Sequence, residues 1–317
     1  MNYKELAPIC LFTYNRLEET KQTVLALQSN YLASQSELFI FSDGWKNEEG
    51  KDKVLKLRLF LKEIYGFKKV RIFESSFNNG LAKSIIGGVT KVLKDYKTVI
   101  VLEDDLKTSP NFLDFMNQSL DFYIDNEAVQ SISGYSLKIR NKEVNSDVYF
   151  HKRAHSWTWA TWSDRWDEAI FDKQKIKNEL TEDILNSFKE TCGEDISEML
   201  INSIEGVNDS WYVRWAYDHF KNEKFAVYPY YSKVENIGFS IEGTNCKGID
   251  VSVCELDTRF KKQFLLTALT LNKKISCEFL NYFSKFYKLK FRLKLLKNKK
   301  GRESIFFEIK NKLFNGK

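Results

Sequence analysis

The chain has 317 residues, of which 43% are hydrophobic and 15% aromatic, and a formal net charge of +6. It is long and apolar enough to bury a sizeable core, which excludes a disordered or fibrous chain. It contains no run of about 18 apolar residues and no signal-peptide profile at its N-terminus, which excludes a spanning helix in the sequence given and predicts a cytoplasmic protein.

The five cysteines, Cys10, Cys192, Cys246, Cys254 and Cys277, are odd in number and lack CxxC spacing. They indicate neither a disulfide framework nor a zinc ribbon and read as reduced packing residues. The charge is unevenly placed. Residues 273–317 hold 14 Lys and Arg against 3 acids, a net +11, and residues 1–272 hold 35 against 40, a net −5.

In chain order, PICLFTY is a short apolar strand, and Leu17, Thr20, Val24 and Leu27 follow at helical spacing. ELFIFSDG is a second strand. Val54, Leu57, Leu61 and Ile64 mark a helix stopped at Gly66, which leads into a third strand, VRIFES. Leu81, Ile85, Val89 and Leu93 predict another helix, and TVIVLEDDL supplies a fourth strand. SPNFLDFMNQSLDFY then reads as a helix with Ser109 as N-cap and Pro110 at its first position.

This alternation predicts an α/β fold with a mostly parallel sheet and helices on both faces. In such sheets ligands bind beyond the carboxyl ends of the strands, which here carry Thr13–Arg16, Asp43 with Gly44, and Glu103–Asp105. After residue 130 the alternation weakens into the aromatic stretch HKRAHSWTWATWSDRW and then into helical and mixed segments. With no repeat and no low-complexity linker, this part is expected to pack onto the same sheet.

Three adjacent carboxylates ending a buried strand have raised pKa values unless cations or strong donors compensate. A divalent metal is the direct remedy. Mg²⁺ or Mn²⁺ takes few protein carboxylates and leaves an open face for a pyrophosphate, which points to a nucleotide substrate. A solvated acidic turn is the structural alternative.

The early TYNR, the strand ending in SDG, the helix opening at NNG and the strand ending in LEDD resemble the nucleotide-sugar-binding half of GT-A glycosyltransferases, with EDD in place of the DxD motif. The closest likeness is to bacterial family 2-like sugar transferases and the N-acetylglucosaminyltransferase I group. SWTWATWSDRW, DSWYVRW and NIGFSIEGTNC extend it over roughly residues 6–246. The resemblance implies a GT-A domain over 1–255, with a nucleotide-sugar-binding half (1–130) and an acceptor-binding half (131–255). A basic, helical C-terminal extension follows over 256–317.

It also implies metal-dependent, inverting transfer of a hexosyl or N-acetylhexosaminyl group from a nucleotide-sugar, with UDP the expected nucleotide. The acceptor would be a saccharide or lipid-linked saccharide of surface polysaccharide synthesis. Thr13, Tyr14, Asn15 and Arg16 would lie along the nucleoside, with Arg16 near the phosphates. Asp43 would take base or ribose, and Asn79 and Gly80 would help to hold phosphate or sugar hydroxyls. Asp105 would bind Mn²⁺ or Mg²⁺, while Asp104 and Glu103 contact ribose or donor sugar.

Asp209 is the expected general base, with Asp218 in reserve. Trp157, Trp159 and Trp162 offer flat faces for a sugar, and Arg153 or Arg165 could pair with phosphate. At least two of these tryptophans are expected to be packing residues. For several residues an ordinary role competes: Asn15 or Asp209 as a helix cap, and Asp43 as part of a turn. One departure is Asn245 in GTNC, where family members often carry a histidine.

In the extension, Phe279, Phe283, Phe286, Leu289, Leu293 and Leu296 interleave with Lys285, Lys288, Lys290, Arg292, Lys294 and Lys297. This pattern fits an anionic membrane surface, or else a helix packed on the body with a solvated basic face. A nucleic-acid arm would seldom carry so many large apolar residues. Two rivals to the transferase reading are a nucleotidyltransferase, which would ordinarily show a glycine-rich basic loop where TYNRLEET stands, and a non-catalytic membrane or nucleic-acid adaptor on a degenerate transferase fold.

Overall fold

The computed structural model describes residues 5–238 and 254–297 together with 301, 302, 305 and 306. Its first part alternates as the periodicity predicts: β1 (Ile9–Thr13), α1 (Leu17–Gln28), β2 (Glu37–Ser42), α2 (Glu48–Leu61), β3 (Lys69–Glu74), α3 (Leu81–Leu93) and β4 (Thr98–Glu103). All five residues of β1 are buried, because helices cover both faces of the sheet. Alternate side chains divide between those faces. Ile9 and Leu11 join Val24 and Leu27 of α1 in one core cluster, whereas Cys10 and Phe12 join Ile85 and Val89 of α3 in another.

The chain continues through β5 (Leu106–Thr108), α4 (Phe112–Phe122), β6 (Val129–Ser133), β7 (Val148–His151) and β8 (Trp159–Trp162). Then come α5 (Lys173–Glu179), α6 (Glu182–Cys192), α7 (Ile196–Ile204), α8 (Trp211–Lys221), β9 (Phe225–Pro229), β10 (Val234–Asn236), α9 (Lys273–Asn281) and α10 (Lys285–Leu295).

Eight strands form one sheet in the order β3-β2-β1-β4-β8-β6-β9-β7, and β5 and β10 form a separate antiparallel ribbon. Pairing is parallel along β3-β2-β1-β4 and between β6 and β9, and antiparallel at β4–β8, β6–β8 and β7–β9. The fold is thus α/β with a mostly parallel sheet covered on both faces, and the strands after residue 130 extend that same sheet. From β1 the chain moves outward to β2 and β3 and then returns to β4 on the other side. The carboxyl ends of β1 and β4 therefore flank a topological switch point.

The start of α4 differs from the sequence reading. Asn111 rather than Ser109 holds the cap position, and the helix begins at Phe112. The preceding residues belong to the ribbon: the Ser109 N–H donates to the Lys233 carbonyl (2.8 Å), so helical dihedrals begin only beyond it.

The basic extension divides into two parts. Its first part is tied to the body: Gln118 donates to the Lys262 carbonyl (2.7 Å), the Tyr123 hydroxyl donates to the Thr267 carbonyl (2.8 Å), and Ile275 and Phe279 of α9 are buried. By contrast, α10 has no buried residue. Among the described residues no helix is long and apolar enough to cross a membrane.

Lys233 (side chain 1% exposed) and Asp257 (0%) form an ion pair that fixes the start of this extension to the residue preceding β10. Removing one partner strands a buried charge. Asp257→Ala is expected to lower stability by about 3–5 kcal/mol. Lys233→Met with Asp257→Leu should recover most of that loss in urea unfolding.

Candidate active site

Glu103 is the last residue of β4 and pairs across the sheet with Phe12 of β1. The β1–α1 turn then wraps over the acidic triplet. The Tyr14 N–H donates to Asp104 Oδ2 (3.1 Å), and Arg16 Nη1 donates to Asp105 Oδ2 (2.8 Å). From α1, the Thr23 hydroxyl donates to the Asp104 carbonyl (2.9 Å) and accepts from the Leu106 N–H (3.1 Å). On the far side the Ile237 N–H donates to the Asp105 carbonyl (2.9 Å). A Cβ at Gly238 would overlap the Asp105 carboxylate, so that position needs glycine.

Part of the compensation demanded by three adjacent acids therefore comes from the chain itself, through Arg16 and the Tyr14 amide. It is incomplete. Burial, then the charges of Asp105 and Asp104, push the Glu103 carboxyl up to about 8. Burial and Asp105 push Asp104 up to about 7 against the opposing pull of Tyr14 and Arg16. Burial also raises Asp105, with Arg16 opposing it.

Asp43, one residue beyond β2, is buried, and both its carboxylate oxygens accept hydrogen bonds from the loop that opens α3. Oδ1 receives the N–H groups of Gly44 (2.9 Å) and Asn79 (2.8 Å), and Oδ2 receives the Gly80 N–H (2.9 Å) and Asn78 Nδ2 (3.0 Å). A carboxylate at a helix N-terminus is favourably placed against the helix dipole. Asn79 and Gly80 thus spend their amide protons on Asp43, while Asn79 Nδ2 donates to the Ser75 hydroxyl (2.8 Å). Gly80 adopts φ 78°, which a side chain would strain. Asn15 does not cap α1, because the cap position belongs to Arg16.

Of the residues expected on the acceptor side, Trp157 lies nearest the triplet by register. Trp159 pairs with Val101 of antiparallel β4, so the residues before Trp159 run past the carboxyl end of β4. There Trp157 is half-buried and packs edge-on against Tyr135 (4.7 Å) and His155 (5.3 Å). Trp159 and Trp162 are core residues, in line with the expectation that at least two of the three tryptophans pack. Arg153 is buried: its guanidinium donates to Asp195 (2.7 Å), the Cys192 carbonyl (2.8 Å) and the Tyr212 hydroxyl (2.9 Å), and lies over Phe283.

Asp209 precedes α8, whose C-terminus leads back into β9 and whose N-terminus therefore lies toward the carboxyl edge of the sheet. The side chain is 53% exposed and pairs with Lys173 (2.8 Å) and Arg214 (3.0 Å). Ser210, not Asp209, supplies the helix cap. Asp218 bonds to Gln130 (2.5 Å) near the start of β6, and Arg165 donates to the carbonyls of Tyr123, Ile124 and Val129. Both belong to the opposite edge of the sheet. Asn245 lies outside the described residues.

Gly238, Tyr135 and His155 were not singled out in the sequence. The only signal for Gly238 was its place in the block NIGFS, and the other two are brought to this edge by β6 and β8.

Among the described residues no group of three or more His, Cys, Asp or Glu is arranged to hold a metal ion. The donor set nonetheless fits a hard cation that takes few protein ligands, since it offers carboxylate oxygens whose ionised forms are under-compensated.

No known family model matches the sequence, and no curated protein matches it. Similar solved structures include the mannosyltransferase PcManGT from Pyrobaculum calidifontis in complex with GDP-Man and Mn²⁺, at 9% identity and TM-score 0.34 over 50% of this chain and 45% of that one. A protein from Desulfovibrio desulfuricans G20 assigned as a nucleotide-diphospho-sugar transferase is 12% identical at TM-score 0.33, over 53% and 68% of the two chains. S. aureus TarS 1–349 is 10% identical at TM-score 0.34, over 68% and 71%. The chain thus spans less than half the length of the first of these. Likeness at these scores decides no activity.

With folded pKa values raised, the triplet's stability contribution is full below the ordinary carboxylate range and is lost as pH climbs through about 7 to 8. In chelator, Glu103→Gln should therefore melt with wild type near pH 4 and increasingly above it toward pH 9. A constant difference across that range would contradict the burial of the Glu103 charge.

Proposed function

We propose that the chain is a GT-A-type glycosyltransferase that binds a nucleotide-sugar in the crevice between β1 and β4 and transfers its sugar, with inversion, to a saccharide or lipid-linked saccharide. One observation carries this reading. The acidic triplet ends β4 at the switch point, with Arg16 of the adjoining turn paired to Asp105.

Thr13, Tyr14 and Asn15 line the path of the nucleoside, and the Arg16 guanidinium turns toward the diphosphate, an exchange of one anionic partner for another. Asp43 fixes the loop carrying Asn78, Asn79 and Gly80 beside that path, so its contribution to donor binding is largely through the loop it holds. A divalent cation, Mn²⁺ or Mg²⁺, would be held by Asp105 with Asp104 and Glu103 beside it, and would supply neutralisation of the departing diphosphate.

Asp209, oriented by Arg214 and Lys173 yet half exposed, takes the proton from the acceptor hydroxyl as that oxygen attacks the anomeric carbon opposite the leaving nucleotide. Trp157 offers a flat apolar face to the sugar. UDP is the proposed nucleotide, and a hexose or N-acetylhexosamine the proposed sugar.

Sugar release from a panel of nucleotide-sugars, with Mn²⁺ and with EDTA, tests the reading. Turnover is expected with Mn²⁺ and should vanish with the chelator. The absence of both turnover and binding across the panel would sink it. Asp209→Asn should leave donor affinity near wild type and lower kcat by about 10²–10⁴. Wild-type turnover in that variant would remove Asp209 as the base.

A further inference from the structure

We infer that α10 and the groove beside it form a docking surface for an anionic lipid bilayer. This is independent of the catalytic reading. Ser284 caps the helix, its hydroxyl accepting from the Tyr287 N–H (3.1 Å), and Tyr287, Phe291 and Leu295 are half-buried on its body side. On the outer side Phe286 is 71% exposed, Leu289 57%, Leu293 55% and Leu296 44%. At 3.6 residues per turn these four fall within an arc of about 80°.

Cations border that arc on both sides, with Lys290, Lys294 and Lys297 along one flank and Lys285 and Arg292 along the other. No acid occurs between Lys285 and Lys297. Among the described residues, Glu194 meets the helix at the Lys285 N–H (2.8 Å) and Asp195 meets it at Lys288 (3.4 Å), and both belong to the body. An exposed apolar stripe bordered on each side by cations is the arrangement that lies in a bilayer interface, with chains in the acyl boundary and ammonium groups among the headgroups.

A second observation points the same way. Between α9, α10 and the loop at Arg140 is a groove of about 380 Å³, lined among others by Arg140, Tyr282, Lys290 and Lys294. Its one acid, Glu278, accepts from the N–H groups of Arg140 (2.9 Å) and Asn141 (3.2 Å), so the groove presents cations and aromatic rings, as a phosphate headgroup requires.

Charge also discriminates among occupants. A second copy would set this cationic face against itself, whereas nucleic acid would leave four large apolar side chains without a partner. With eight Lys and Arg against one acid over residues 273–297, a net +7, and −5 over residues 1–272, an anionic surface attracts the face carrying α9 and α10 and repels the rest, which sets an orientation.

The test is co-sedimentation of the full chain with vesicles of phosphatidylcholine alone and of phosphatidylcholine containing about one third phosphatidylglycerol. Binding is expected to the anionic vesicles, weakening as salt rises. Lys290→Ser with Lys294→Ser should weaken it about 25-fold, and Leu289→Glu with Leu293→Glu about 10-fold or more.

Equal binding to both vesicles, binding to neither, or undiminished binding by the leucine variant would overturn the inference. So would dimerisation or nucleic-acid retention without vesicle binding. Should the leucine variant melt early, hydrogen exchange of the unaltered chain on anionic vesicles decides. Protection over residues 285–297 supports the surface, and its absence there refutes it.

Discussion

Three carboxylates at the end of a buried strand set the terms for the rest of this molecule. Two unit charges about 4 Å apart repel by roughly 4 kcal/mol at an effective dielectric near 20. The fold meets that cost with Arg16, the Tyr14 amide and proton retention by Glu103 and Asp104. Each device leaves the site receptive. Arg16 can exchange partners, and carboxyls that hold protons near neutrality can release them to a cation.

The sheet topology makes that chemistry addressable. Because β1 sits between β2 and β4, the turn after β1 and the triplet after β4 face one crevice, and β2 brings Asp43 to its side. Asp43 then organises the start of α3 rather than remaining an open acceptor. Arg58 reinforces it from below, donating to the carbonyls of Asp43 (3.2 Å) and Ser75 (2.6 Å). The later strands add the aromatic wall of Tyr135, His155 and Trp157, and α8 brings Asp209 to the same edge.

Periodicity made the first four strands and their helices legible, since apolar residues recur where both faces of β1, β2 and β4 are covered. The triplet, TYNR and Asp43 were legible for the same reason: their places at strand ends follow from the strands. What stayed hidden depends on distant pairing. The β5–β10 ribbon joins three-residue strands more than 120 residues apart, and it moved the first residue of α4 from Pro110 to Phe112. The internal commitments of Asp43 and Arg153 could not be read from composition, because a guanidinium or carboxylate looks alike in sequence whether it faces a ligand or a carbonyl. Trp159 illustrates the same ambiguity: in SWTWATW its neighbour Trp157 looks equivalent, and only the β4–β8 register separates them.

The triplet and Arg16 are proposed to form one seat for a cation and a nucleoside diphosphate. Mn²⁺ titration followed by electron paramagnetic resonance, with and without UDP, tests it most directly. Mn²⁺ is expected to bind weakly alone and far more tightly with the nucleotide, and Asp105→Asn should abolish the enhancement. Enhancement that persists undiminished in Asp105→Asn, or no effect of any nucleoside diphosphate on Mn²⁺ binding, would contradict it.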